Sequence, residues 1–159
     1  TYWPIFAPIL MILLSGLATS AGSTGAGIKM ARLLILLKQA RREMNRLVHP
    51  RAVQPVRLGD AVVDNRVIFS VLAFMLVYGA TIIGLSMVLL LTDLDPVTAF
   101  SAVIASVNCM GPGLGSVGPA SNYAVLTDFQ VWVCTLAMLL GRLEILSFMA
   151  LLTPAFWRR

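Results

Sequence analysis

Long apolar stretches alternate along this sequence with short segments rich in glycine, proline or charge. Residues 67–92 and 129–157 are each long enough to cross a bilayer as a helix, which takes about 20 residues. Between them, residues 96–107 are apolar over only 12 positions. As a helix this segment would measure roughly 18 Å, about half the thickness of a bilayer. The pattern therefore predicts two transmembrane helices that enclose one half-length helix.

The half-length helix is followed by the glycine-rich segment NCMGPGLG, residues 108–115. Irregular backbone at membrane depth is tolerated only where it is buried in protein or lines a water-filled path. Asp95 as N-cap and Pro96 in the first turn predict that the helix starts there, so its C-terminal end points at residue 108. That end carries a partial negative charge, and backbone carbonyls can replace the hydration shell of a cation. The predicted cation ligands are the carbonyl groups of Asn108, Cys109, Met110 and Gly111.

The N-terminal part of the chain has an apolar segment, residues 3–17, that gives way to small residues over positions 15–27. Residues 28–48 then mix apolar and basic side chains. Each glycine weakens a helix by about 1 kcal/mol relative to alanine, so we predict a helix broken inside the membrane by a flexible loop. A continuous small-residue surface for close helix packing is the alternative.

The formal net charge of +5 is concentrated, because nine of the 12 Lys and Arg residues lie at positions 29–66. Basic clusters beside apolar spans follow the positive-inside rule, which predicts that residues 38–66 and the C-terminus are cytoplasmic. This distribution argues against nucleic-acid binding. Neither cysteine has metal-binding spacing, and no nucleophile–base pair is visible, so the sequence predicts neither an enzyme nor a bound cofactor.

Arg142 is the one Lys or Arg inside a predicted span. An arginine at membrane depth costs about 2.5–3.5 kcal/mol on insertion scales and usually faces a cavity or a partner. Glu144 lies two positions away and so points to a different helix face. We predict that Arg142 faces a pore; the alternative is a structural ion pair between helices.

Three motifs together resemble the TrkH-type membrane subunits of the Trk/Ktr/HKT superfamily of potassium transport proteins. They are GSTGAGIK at residues 22–29, NCMGPGLG at 108–115, and GRLE at 141–144 followed by LLTPAFWR at 151–158. The resemblance implies an all-α membrane protein built from four repeats, each helix–pore loop–helix, around one pore. Residues 1–48 would be the second helix of repeat three with its intramembrane loop, 49–66 a cytoplasmic connection, and 67–157 repeat four.

The same resemblance implies potassium uptake across the bacterial inner membrane, with K⁺ as the transported ion. The chain, which starts at Thr1, would be part of a longer polypeptide that supplies three further filter segments. A homodimer and a cytosolic nucleotide-binding regulatory subunit of the TrkA type are the implied partners. Arg142 matches a pore-facing arginine of the family, and the implied gate consists of Ala21, Gly22, Ser23, Thr24, Gly25, Ala26 and Gly27.

Two residues depart from the family pattern. The family often has asparagine where Cys109 stands and a further glycine where Ala26 stands. Because carbonyls would bind the ion, Cys109 should preserve the filter, whereas Ala26 should stiffen the gate.

Two other functions remain open from the residues alone. A secondary transporter with discontinuous helices would point half-helix N-termini at an anionic substrate, whereas here a C-terminal end faces the site. A structural membrane subunit would use its glycines only for helix packing.

Overall fold

The computed structural model describes residues 6–17, 26–49, 55–59 and 61–143. In this part of the chain the helices are α1 (Phe6–Leu17), α2 (Met30–Val48), α3 (Asn65–Leu90), α4 (Pro96–Val107) and α5 (Asp128–Arg142). Short 3-10 turns at Gly115–Val117 and Tyr123–Val125 connect α4 to α5. The mostly helical fold agrees with the sequence prediction.

A helix, α3, is present where the sequence predicts a span at residues 67–92. It has 26 residues and a mean hydropathy of 2.3, and it is the one helix among the described residues that is long and apolar enough to cross a membrane. One face, which carries Ile68, Val71, Phe74 and Tyr78, is buried, while Phe69 on another face is 70% exposed. Exposed apolar side chains of this kind suit contact with lipid or with a further part of the protein.

The second predicted span, residues 129–157, is described only as far as α5 reaches. Helix α5 begins at Asp128, where the Gln130 side chain accepts a hydrogen bond from the Thr127 backbone N–H at 2.9 Å. The Gln130 amide also donates to Thr92 Oγ1 at 2.7 Å, which ties the start of α5 to the end of α3. Residues 144–159, including Glu144, lie outside the described residues.

Helix α4 forms the centre of the main core, between α3 and α5. Its predicted start is confirmed, because the Asp95 carboxylate accepts a hydrogen bond from the Thr98 N–H at 3.2 Å and Pro96 is the first helical residue. Ala99, Ala102 and Val103 have no exposed surface. A short helix buried on most sides depends on its neighbours for its position, so α3 and α5 fix where its C-terminal end points.

Helix α5 touches the last turn of α4 through a glycine. A Cβ atom built on Gly141 would lie 1.9 Å from the carbonyl oxygen of Val107. No side chain fits at that distance, so the two backbones meet directly. The residue after this contact is Arg142, so the backbone of Arg142 lies close to the C-terminal end of α4.

The structure describes the residues on both sides of the predicted break between the first two helices. Helix α1 continues to Leu17, and α2 begins at Met30. The Ile28 N–H donates to the Gly16 carbonyl at 2.9 Å, so the two sides of the break are joined. Of the predicted gate, Ala26 is buried and Gly27 has a positive φ of 97°. Residues 21–25 lie outside the described residues.

The all-α prediction missed a small hairpin. Strands β1 (Arg57–Leu58) and β2 (Ala61–Val62) pair antiparallel, with Arg57 opposite Val62 and Leu58 opposite Ala61. Two residues per strand are too few for an alternating pattern to appear in the sequence. A second, smaller core of Ile35, Val56, Ile68 and Val71 lies between α2, α3 and the residues next to the hairpin.

Candidate functional site

The chain leaves α4 through a Schellman-type turn. The Cys109 N–H donates to the Ser106 carbonyl at 3.0 Å, and the Met110 N–H donates to the Ala105 carbonyl at 2.8 Å. This bond pattern requires a left-handed residue at position 109, which is usually glycine or asparagine. Cys109 adopts it with φ of 51°, at a cost of about 1–2 kcal/mol. The turn therefore sets the direction of the segment that follows.

After the turn, the chain runs back along α4. The Leu114 N–H donates to Ser101 Oγ at 2.8 Å, and the Ser116 N–H donates to Thr98 Oγ1 at 3.2 Å. Ser101 and Thr98 are one helical turn apart in α4. Ser116 comes after Leu114 in the chain, but it bonds to Thr98, which comes before Ser101. Residues 112–116 are thus antiparallel to α4 and are held to it by two buried hydroxyl groups.

The four carbonyls of the predicted filter, residues 108–111, which we call the filter segment, differ in their hydrogen bonding. Among the hydrogen bonds of the described residues, none ends on the carbonyl oxygens of Asn108, Cys109 or Met110. The Gly111 carbonyl accepts a hydrogen bond from the Tyr123 hydroxyl at 2.8 Å. A carbonyl oxygen has two lone pairs, so this bond orients the Gly111 carbonyl and leaves one pair available.

Tyr123 keeps its proton at neutral pH. Partial burial, and secondarily the neighbouring Cys134, raise the pKa of Tyr123 above its ordinary value of 10.0. The hydroxyl is therefore a permanent donor to Gly111 over the physiological range.

Burial changes abruptly at the filter segment. Val107 has no exposed surface and Asn108 is 8% exposed, whereas Cys109 and Gly111 are exposed. Gly111 has a φ of 100°, and a Cβ atom built on it would contact nothing within 4 Å. Its requirement for glycine is thus conformational and not steric. The chain therefore leaves the core after Asn108 and reaches the surface of this chain at Cys109 and Gly111.

The Asn108 side chain points away from that surface. The Tyr78 hydroxyl donates to Asn108 Oδ1 at 2.7 Å inside the protein. The sequence predicts a role for the Asn108 carbonyl only, and no motif in it points to Tyr78, Tyr123, Ser101 or Thr98. Of these residues, only Tyr78 carries a signal in the sequence. It is a tyrosine inside an uncharged apolar stretch, and a buried tyrosine hydroxyl needs a hydrogen-bond partner.

Arg142 is the last residue of α5 and is exposed. Its position next to Gly141 places it beside the C-terminal end of α4. The gate residues in the described part, Ala26 and Gly27, approach the same region, since a Cβ atom on Gly27 would lie 3.0 Å from Asn108 Oδ1. The structure thus brings parts of all three predicted sites together.

Comparisons with known proteins agree on one family. The profile of the TrkH family, described as cation transport protein, matches residues 2–158. The chain is 43% identical over 156 residues to a Trk system potassium uptake protein TrkH of Vibrio parahaemolyticus and 39% identical to that of Escherichia coli strain K12. Each alignment covers 98% of this chain and 32% of the relative. The chain therefore spans about a third of the length of these curated relatives.

A solved structure gives the same result. The fold matches the crystal structure of the potassium transporter TrkH from Vibrio parahaemolyticus with a TM-score of 0.90 and 43% identity. The match covers 98% of this chain and 33% of that one.

Proposed function

Because this chain belongs to the TrkH family of cation transport proteins, we propose that it forms one wall of a potassium-selective pore in a longer membrane protein. Two of its relatives are named as potassium uptake proteins, which supports K⁺ as the transported ion. The family and the apolar span of α3 both support a membrane location. The chain would supply residues of the third and fourth of four repeats, and the remaining polypeptide would supply the other three filter segments.

One observation carries this proposal. The carbonyls of residues 108–110 have no hydrogen-bond partner among the described residues, and they follow the C-terminal end of a buried helix. The helix macrodipole places roughly half a negative charge there, which favours a cation. Carbonyl oxygens can replace the water around K⁺ when other walls of the pore complete the shell.

The remaining features of the proposal concern gating and assembly. We infer that Ala21 to Gly27 gate the pore below the filter and that Arg142 contributes its charge there. The inferred partners are a second copy of the whole protein and a TrkA-type nucleotide-binding subunit. The basic region 38–66 supports a cytoplasmic placement for that region in a bacterial inner membrane.

Gly111 provides a specific test of the filter. In the whole protein, Gly111→Ala is expected to lower the K⁺/Na⁺ permeability ratio about tenfold, because an L-residue at this φ is strained by about 1–2 kcal/mol. Potassium and sodium fluxes into proteoliposomes measure the ratio.

The matched control is Gly84→Ala. A Cβ atom at Gly84, as at Gly111, has nothing within 4 Å among the described residues, but Gly84 lies within α3 and does not have a positive φ. This variant should keep the normal ratio. If Gly111→Ala also keeps it, at normal expression, the Gly111 carbonyl is not part of a selective filter.

A further inference from the structure

The Asn108 side chain occupies a crowded junction of three parts of the chain. It is 8% exposed, and its Oδ1 accepts the hydrogen bond from Tyr78 in α3. Tyr78 is itself held by a stacked contact with Phe74, with ring centroids 5.9 Å apart. The guanidinium carbon of Arg32 in α2 lies over the Phe74 ring, 4.1 Å from its centroid. The donor to Asn108 is therefore fixed by its own neighbours.

The amide also lies against the joined ends of the break between α1 and α2. We call this junction of Gly16, Gly27 and Ile28 the neck. A Cβ atom built on Gly16 would be 3.3 Å from Asn108 Nδ2, and one built on Gly27 would be 3.0 Å from Oδ1. The hydrogen bond from Ile28 N–H to the Gly16 carbonyl keeps the neck closed. At these distances, a side chain at either position would push the amide away by a few tenths of an ångström.

Asn108 is at the same time the C-cap of α4 and the first residue of the filter segment. Its backbone, with φ of −83° and ψ of −3°, leads directly into the left-handed turn at Cys109. A side chain held by a hydrogen bond at its Oδ1 and packed beside the neck restricts the backbone that carries it. Buried polar groups with satisfied hydrogen bonds specify one arrangement, because any shift leaves a buried group unpaired.

We propose that Asn108 is a positioning residue for the filter, with its amide clamped between Tyr78 and the neck so that the Asn108 carbonyl keeps the orientation needed for ion selectivity. This inference rests on the proposed filter function. It gives Gly27 a task other than gating, because Gly27 and Gly16 make room for the amide that supports the proposed filter.

Tyr78→Phe tests the clamp with the smallest change. The variant keeps the ring and its stacking on Phe74 and removes only the hydroxyl donor. We expect the K⁺/Na⁺ permeability ratio of the whole protein in proteoliposomes to fall about fivefold, the factor that corresponds to one net hydrogen bond. Gly16→Ala, which presses on the amide from the other side, should lower the ratio in the same direction.

The double variant Tyr78→Phe/Asn108→Ala distinguishes positioning from general support. If Tyr78 acts through Asn108, adding Tyr78→Phe to Asn108→Ala should change the permeability ratio no further. Thermal unfolding is recorded for every variant. Lower melting temperatures with an unchanged ratio in both Tyr78→Phe and Gly16→Ala would overturn the proposal, and so would fully additive effects in the double variant.

Gly111→Ala separates this inference from the proposed function. If Gly111→Ala lowers the ratio while Tyr78→Phe and Gly16→Ala do not, the filter stands and the clamp is wrong. If none of the three changes the ratio, both the clamp and the filter are wrong. Gly84→Ala is again the control, because the added methyl group contacts nothing within 4 Å among the described residues.

Discussion

Replacing Gly141 with alanine is expected to destabilise the whole protein by about 3 kcal/mol or more, the upper end of the cost of overpacking. The added Cβ would lie 1.9 Å from the Val107 carbonyl oxygen, 2.8 Å from its carbon and 3.1 Å from the Cα atom. All three are backbone atoms, so no rotamer change can relieve the overlap. Helices α4 and α5 would have to separate, and the start of the proposed filter would move with α4.

Thermal unfolding of the purified whole protein in detergent measures this effect. Gly84→Ala is the control, because it adds the same methyl group to an exposed position in α3. If the Gly141→Ala protein has the same melting temperature as the Gly84→Ala protein, α4 and α5 do not meet as described. We also expect potassium uptake by Gly141→Ala to be lost together with stability.

Removing the charge of Arg142 is expected to raise potassium conductance more than tenfold in a correctly folded whole protein. A guanidinium group roughly 10 Å from a passing K⁺ at an effective dielectric of about 20 repels it by about 1.7 kcal/mol. Tenfold in rate corresponds to about 1.4 kcal/mol. The backbone of Arg142 lies beside the proposed filter, because Arg142 follows the contact between Gly141 and Val107 by one residue.

The variants Arg142→Ala and Arg142→Lys separate charge from shape. Lysine keeps the positive charge, so Arg142→Lys should conduct at nearly the normal level. Flux is recorded beside a melting curve for each variant. A stable Arg142→Ala protein with normal conductance would exclude the pore role, and a less stable one with normal conductance would indicate a structural ion pair.

The elements near the candidate site were largely predictable from the sequence. Helix α4 was predicted with its correct bounds because Asp95 and Pro96 mark its start and residues 108–115 cannot continue a helix. The span at α3 followed from its unbroken apolar run. These are local signals, and neighbouring structure did not override them.

The long-range contacts between helices could not be predicted in the same way. Tyr78 and Asn108 are 30 residues apart, and Gln130 reaches Thr92 across 38 positions. Such pairs depend on how helices pack, which a single apolar pattern does not determine. The need for glycine at position 141 could not be predicted from the sequence either, because it arises from contact with the Val107 carbonyl on another helix.

Anomalous scattering from crystals of the whole protein grown with Rb⁺ or Tl⁺ in place of K⁺ tests the central proposal most directly. We predict a peak within direct coordination distance of the carbonyl oxygens of Asn108, Cys109 and Met110, with the remaining ligands supplied by the rest of the polypeptide. A peak that is displaced from these carbonyls in well-ordered crystals, or the absence of any peak beside them, would contradict the proposal that this segment binds the transported ion.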